Sequence, residues 1–385
     1  MMKKLQTAMF LAGAISVGQG AFAQTPPAPA PEPAPQPIFS IAGFDLTGHL
    51  DVGYSYLRGS GKFVSGLNDR VFDFDRKRVV LQALDLQLAN TPENGFGALL
   101  NVTLGKDADT IAAYGTIDRD RGPANGVNKR ADVTQAFFHY GAGALTVIAG
   151  KYVTLHGAEV IKSPLDANYS RSILFGYAIP FTHTGVRATY KVSDALALVA
   201  GVNQGWDAVK DTNSDKTFEL QAAFTPNKTF STLICAMSGK ELVTNYPKSG
   251  DNGTRSLLDV VSTFNVTDKL TFILNADFGT QEKAGAGGGK AKWQGVAGYA
   301  NYQLNDEWRV SLRAEYFDDK DGYRTGIVQK WKEGTLTLAY APTKSVELRA
   351  EVRGDRSDKE AFLKADKETP TKNERSFGFE VLYKF

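Results

Sequence analysis

A strict alternation of apolar and polar residues, repeated along most of the chain, limits what this sequence can fold into. From Ser345 to Asp355, Val346, Leu348, Ala350 and Val352 fall on one face, and Glu347, Arg349, Glu351 and Arg353 on the other. Trp308, Val310, Leu312, Ala314 and Tyr316 alternate in the same way with Arg309, Ser311, Arg313 and Glu315. Leu270, Phe272, Leu274, Ala276 and Phe278 alternate with Thr271, Asn275 and Asp277, Ile273 being the exception. Gly334 to Pro342 sets Leu336, Leu338 and Tyr340 against Thr335, Thr337 and Ala339. A period of two marks strands with two unlike faces, and no helical period competes with it. The chain is therefore all-β.

Two features favour a transmembrane barrel over a soluble sandwich. Apolar faces tend to begin and end in aromatics, as in Tyr54 and Tyr56, Phe218 and Phe224, or Trp308 and Tyr316, which suits girdles at two membrane interfaces. The connections also alternate in length. Short ones such as Pro92-Glu93-Asn94, Ser193-Asp194, Asn305-Asp306 and Pro342-Thr343-Lys344 alternate with long ones such as Arg58 to Phe74, Val153 to Pro180, Glu241 to Thr254 and Arg356 to Asn373. Short periplasmic turns and long external loops are the layout of an antiparallel up-and-down barrel. Counting hairpins predicts about sixteen strands with both termini periplasmic. The stretch from Thr325 to Pro342 is the least regular, because Lys330, Lys332 and Glu333 blur its pattern. Arg255 and Lys290 fall on loops expected at the outer surface.

The two ends add a compartment. Lys3 and Lys4, the apolar run Leu5 to Val17 and the small-residue exit Ala21-Phe22-Ala23 form a secretory signal peptide over residues 1–23. Residues 24–42 follow as a periplasmic tether, with seven of the chain's fifteen prolines between Thr25 and Pro37, a composition that favours extended polyproline II. The barrel proper is expected over residues 43–385. After the signal no apolar run reaches helix-spanning length, so helical membrane architecture is excluded. Removing Lys3 and Lys4 leaves 42 basic residues against 42 acidic ones, a balance that gives no support to nucleic-acid binding. Cys235 is the lone cysteine, so no intramolecular disulfide forms.

The central stretch holds Gly150-Lys151-Tyr152, His156-Gly157-Ala158-Glu159, Asn168-Tyr169-Ser170-Arg171-Ser172, Pro180 to Arg187 and Val202 to Asp207, and the first strand opens with Gly48 to Tyr54. In these segments the chain resembles the OmpL-like β-barrel porin family. The resemblance implies a barrel of the Gram-negative outer membrane and a pore, and supplies no substrate. The alternating C-terminal aromatics Phe377, Phe379, Tyr383 and Phe385 likewise resemble the signal read by the barrel-assembly machinery.

A barrel of this size holds water, so its effective opening depends on what folds into it. Val153 to Pro180 joins the fifth and sixth strands, the position at which general porins fold their constriction loop inward. His156, Glu159, Lys162, Asp166 and Arg171 are the candidates to line an eyelet there; the alternative is an external lid. Arg309, Arg313, Arg349 and Arg353, with Glu315, Glu347 and Glu351, face the water-filled side. They serve either as structural ion pairs or as a basic ladder for solutes, since arginine stays charged and grips anions bidentately.

The four histidines, His49, His139, His156 and His183, lack metal-ligand spacing, and no G-x-S-x-G elbow is present. The sequence therefore offers no catalytic set, metal or cofactor. The expected function is passive diffusion of small hydrophilic solutes, the alternative a structural or surface-interaction barrel without an open pore. Outer-membrane lipid, lipopolysaccharide, the assembly machinery and further copies of the chain are the expected partners.

Overall fold

The computed structural model describes residues 37–117, 129–243 and 252–385. The signal peptide and most of the Pro-rich segment lie outside the described residues. Sixteen long strands run in chain order around a closed antiparallel barrel. They are β1 (Phe44–Leu57), β2 (Arg78–Asn90), β3 (Asn94–Leu104), β4 (Ala131–Ala142), β5 (Leu145–Val153) and β6 (Thr182–Lys191). β7 (Leu196–Asn203), β8 (Thr217–Asn227), β9 (Phe230–Leu242), β10 (Asn252–Thr267) and β11 (Leu270–Gln281) follow. β12 (Ala291–Gln303), β13 (Trp308–Asp319), β14 (Gln329–Thr343), β15 (Val346–Ser357) and β16 (Asn373–Lys384) complete it.

Closure is made at β1, where Leu50 is opposite Leu84 of β2 on one side and Tyr383 of β16 on the other. Every strand then has two partners, which is what a bilayer without hydrogen-bonding solvent demands. The end of the expected tether is not free, since Phe39–Ile41 forms a short strand paired with the start of β1.

The alternation places apolar residues outward: Leu312, Leu336, Leu348, Val352, Phe377 and Phe379 are all exposed. Their polar neighbours point inward, and Ser311, Arg313, Thr335, Thr337, Arg349 and Glu351 are buried. From Gln329 onward the irregular stretch is strand, β14, and only Thr325 to Val328 stay outside it. Lys330 and Lys332 stand outward at its long-loop end, and Trp331 and Glu333 stand inward. The charges blur the pattern because they occupy the rim, beyond the apolar band.

Arg255 corrects the sequence reading. β9 and β10 extend further than expected, so Arg255 lies within β10 and is buried. It donates to Gln281 Oε1 at 2.6 Å and Tyr323 Oη at 2.6 Å, with its guanidinium 4.9 Å from the Trp206 ring. Trp206 is part of an inner apolar cluster that includes Phe63, Phe72, Phe175, Trp293, Trp331 and Phe362. Long loops contribute part of that cluster because they fold over the barrel end and bury their apolar side chains there. A three-stranded sheet of Gly59–Phe63, Phe362–Lys364 and Pro370–Thr371 stitches two of those loops together.

Candidate functional site

The connection between β5 and β6 folds into the barrel. Its base closes where Thr154 N–H donates to Phe181 O at 3.0 Å, and Asp207 accepts from Phe181 N–H at 2.8 Å and Thr182 N–H at 2.9 Å. From there it touches wall strands on both sides of the lumen. Lys162 Nζ reaches Gln87 Oε1 at 2.7 Å and Asp85 Oδ1 at 3.2 Å on β2, and Ser163 Oγ donates to Asp51 Oδ2 at 2.7 Å on β1. On the other side Gly157 N–H donates to Asp259 at 3.2 Å and Ala158 N–H to Asn275 at 3.2 Å.

The wall arginines and glutamates complete its attachment. Arg313 Nη1 lies 2.7 Å from Glu159 Oε1 and donates to Ser170 O at 2.6 Å. Arg349 donates to Ser163 O at 3.1 Å, Asp166 O at 2.7 Å and Asn168 O at 3.2 Å, and Arg353 to Arg171 O at 2.7 Å. Glu351 accepts from the N–H groups of Tyr169 and Ser170 at 2.8 and 3.0 Å, and Glu315 from those of Ile173 and Leu174 at 2.9 and 3.1 Å. An irregular segment has backbone groups that no strand partner satisfies, and these charged side chains satisfy them. The same arginines are ion-paired along the wall: Arg313 with Glu315 and Glu333, Arg349 with Glu347 and Glu380, Arg353 with Glu333 and Asp355. Arg309 pairs with Glu347 at 2.8 Å and keeps about a quarter of its side-chain surface, 26%.

The five loop candidates separate into two kinds. Arg171 is fully covered, donating to Val160 O and Ile161 O at 2.9 Å each and pairing with Asp166 at 3.0 Å. Glu159 is used on Arg313 and on Ser172 N–H at 2.5 Å. Burial pushes the Asp166 carboxyl up to about 7, although Arg171 pulls the other way. Burial, then His183 beside it, lowers His156 to about 3, so it is neutral at ordinary pH. Lys162 alone among the five keeps substantial exposure, 23% of its side chain. Its carbonyl accepts from Leu165 N–H at 3.0 Å, and the Leu165 side chain is half-exposed.

Sequence reasoning missed the loop's seating on glycine. A Cβ on Gly53 would lie 2.4 Å from Tyr169 Oη, and one on Gly378 would lie 2.7 Å from the Tyr169 ring. A glycine at an inward strand position beside aromatic neighbours was the available signal, since it marks close approach of another segment. The pairs Lys151–Asp132 at 3.0 Å and Arg187–Glu219 at 2.8 Å were also missed, because their partners sit on different strands.

The chain from residue 43 to 385 matches the family described as "Putative beta-barrel porin-2, OmpL-like". It belongs to that family. This porin shares its fold with solved outer-membrane channels of low sequence identity. The channel DcaP of Acinetobacter baumannii is 16% identical, over 91% of this chain and 100% of that one, with a TM-score of 0.60. OmpT of Vibrio cholerae is 13% identical over 90% and 99%, TM-score 0.60. An anion-selective porin from Comamonas acidovorans is 11% identical over 89% and 99%, TM-score 0.58. No curated protein matches the sequence. The porin is an outer-membrane protein, like the rest of this group.

Proposed function

We propose that this porin passes small hydrophilic solutes by passive diffusion along a path narrowed by the loop between Val153 and Thr182. The observation that carries the reading is that loop's attachment to wall strands on both sides of the lumen, through Lys162 and Ser163 to β1 and β2 and through Gly157 and Ala158 to β10 and β11, with Arg313, Arg349 and Arg353 holding it along the wall. Among the candidate charges, Lys162 on the loop and Arg309 on the wall are the ones a passing solute meets. The buried Glu159, Asp166 and Arg171, with Glu315, Glu347, Glu351, Arg313, Arg349 and Arg353, hold the loop in place. His156 contributes no charge.

The wider reading follows from the same frame. Residues 1–23 direct export, residues 24–42 tether the barrel, the long loops face outward, and the assembly machinery inserts it. OmpT of Vibrio cholerae also has a trimer form, which supports a homo-oligomer here. The apolar cluster of Trp206, Trp293, Trp331 and Phe362 under the long loops favours a second reading, a barrel closed at that end. Single-channel recording in a planar bilayer separates the two. Discrete current steps from the refolded barrel support the diffusion pore; a folded barrel that inserts and carries no current overturns it.

A further inference from the structure

The outer surface of the barrel carries a basic cluster that the pore does not use. Three transverse rows can be read from the strand registers near the long-loop end. In the outermost, Lys332 of β14 stands directly opposite Arg356 of β15, between Tyr316 and Asn373. In the next, Gly334 is opposite Gly354, Gly354 is opposite Arg375 of β16, and Arg58 N–H donates to Arg375 O at 2.9 Å. The third row is Leu312, Leu336, Val352, Phe377 and Tyr56, all apolar or aromatic.

All four basic residues are exposed. Their side chains make no hydrogen bond or ion pair among the described residues, and Lys332 only lies over the Tyr316 ring at 5.9 Å. No carboxylate occupies these rows. Like charges directly opposite on one sheet face repel, so the arrangement calls for a bound anion. Beneath the cluster a shallow groove of about 570 Å³ runs over Gly334 and Gly354, between Leu336, Val352 and Arg375. A Cβ added at either glycine would meet nothing within 4 Å, so the floor is bare backbone open to the outside.

We propose that this surface binds a phosphorylated acyl glycolipid of the outer leaflet, of the lipid A type. Phosphate sits among Lys332, Arg356, Arg375 and Arg58, where arginine can grip it bidentately. The sugar lies over the glycine floor, and an acyl chain follows Leu312, Leu336 and Val352 into the membrane. The choice of lipid rests on the reading that the long loops face outward, which puts these rows at the outer leaflet.

The test uses the refolded full-length barrel in a neutral detergent, with native mass spectrometry as the readout. Diphosphoryl lipid A, its dephosphorylated form and phosphatidylglycerol are titrated in parallel. Wild type should hold one diphosphoryl lipid A in preference to the other two. K332Q/R356Q/R375Q should weaken that binding by about a hundredfold. G354L, which keeps every charge and fills the groove, should weaken it too. Heat-modifiable migration on gels confirms that each variant is folded. Equal binding by the triple variant, or equal binding of phosphatidylglycerol by wild type, overturns the site. So does a triple variant that changes only the oligomer mass, which would make the surface a contact between copies. Conductance is recorded separately, so failure of the pore reading is not mistaken for failure of this one.

Discussion

Arg313 of β13 and Glu159 of the inward loop meet at 2.7 Å, both buried, and the same guanidinium also pairs with Glu315 and Glu333 of the wall. One wall cation thus pairs with carboxylates from two neighbouring strands and from the loop that folds against them. Removing one partner of such a buried set leaves the others uncompensated, at a cost on the order of 3 kcal/mol or more. Arg313→Met should therefore lower the temperature of the folded-to-unfolded shift on gels. It should also turn quiet single-channel steps into noisy ones as the loop detaches. A variant with unchanged unfolding temperature and quiet steps removes Arg313 from the anchoring role.

Lys162 and Arg171 should respond differently to the same change. Lys162→Glu reverses the charge of the partly exposed loop side chain and should move the reversal potential in asymmetric salt towards cation preference. Arg171→Glu inverts a covered charge that the Val160 and Ile161 carbonyls require. It should reduce folded yield rather than produce a well-behaved selectivity shift. If Arg171→Glu folds normally and shifts selectivity as far as Lys162→Glu does, the division between path and anchor is wrong.

Cys235 reports on the loop. Its Sγ donates to Leu155 O at 3.3 Å and lies beneath that residue, fully buried. Maleimide should label it slowly in the folded wild type and quickly after heat unfolding. Rapid labelling in folded Arg313→Met would show the loop lifting. Rapid labelling of folded wild type would mean the loop does not cover the wall.

The sign of the pH response follows from His156. Its pKa lies at about 3 in the fold instead of 6.5, so it is neutral throughout the neutral range. The unfolded chain takes up the proton that the fold refuses, so stability falls as pH drops from 6.5 towards 3, and the reversal potential should not step between these values on its account. A step near pH 6.5 that vanishes in His156→Gln would show a charged histidine in the path.

Topology can be read on intact cells. An epitope inserted after Lys367, in the exposed loop between β15 and β16, should be reached by antibody. One placed between Asn305 and Asp306 should be reached only after the outer membrane is permeabilised. The opposite pattern inverts the barrel.

The sequence by itself determined the barrel. An alternation with a period of two needs one apolar and one polar surroundings, and Leu336 or Val352 declares its face without knowing its neighbour. Loop lengths supplied the hairpin order, and so β5 and β6 as the strands flanking the inward loop. Tertiary structure alone decided what Arg313, Arg349 and Arg353 do. Their alternation places them inside, but whether an arginine meets a solute or a loop carbonyl depends on residues far along the chain, such as Ser170 and Asp166. The same holds for Arg255, whose loop-like neighbourhood hid a strand end, and for Gly53 and Gly378, whose missing side chains matter because Tyr169 arrives from elsewhere. Local pattern fixes which way a side chain points, because that depends on the pleat. What it then touches is set by closure of the barrel and entry of the loop, which bring distant residues together.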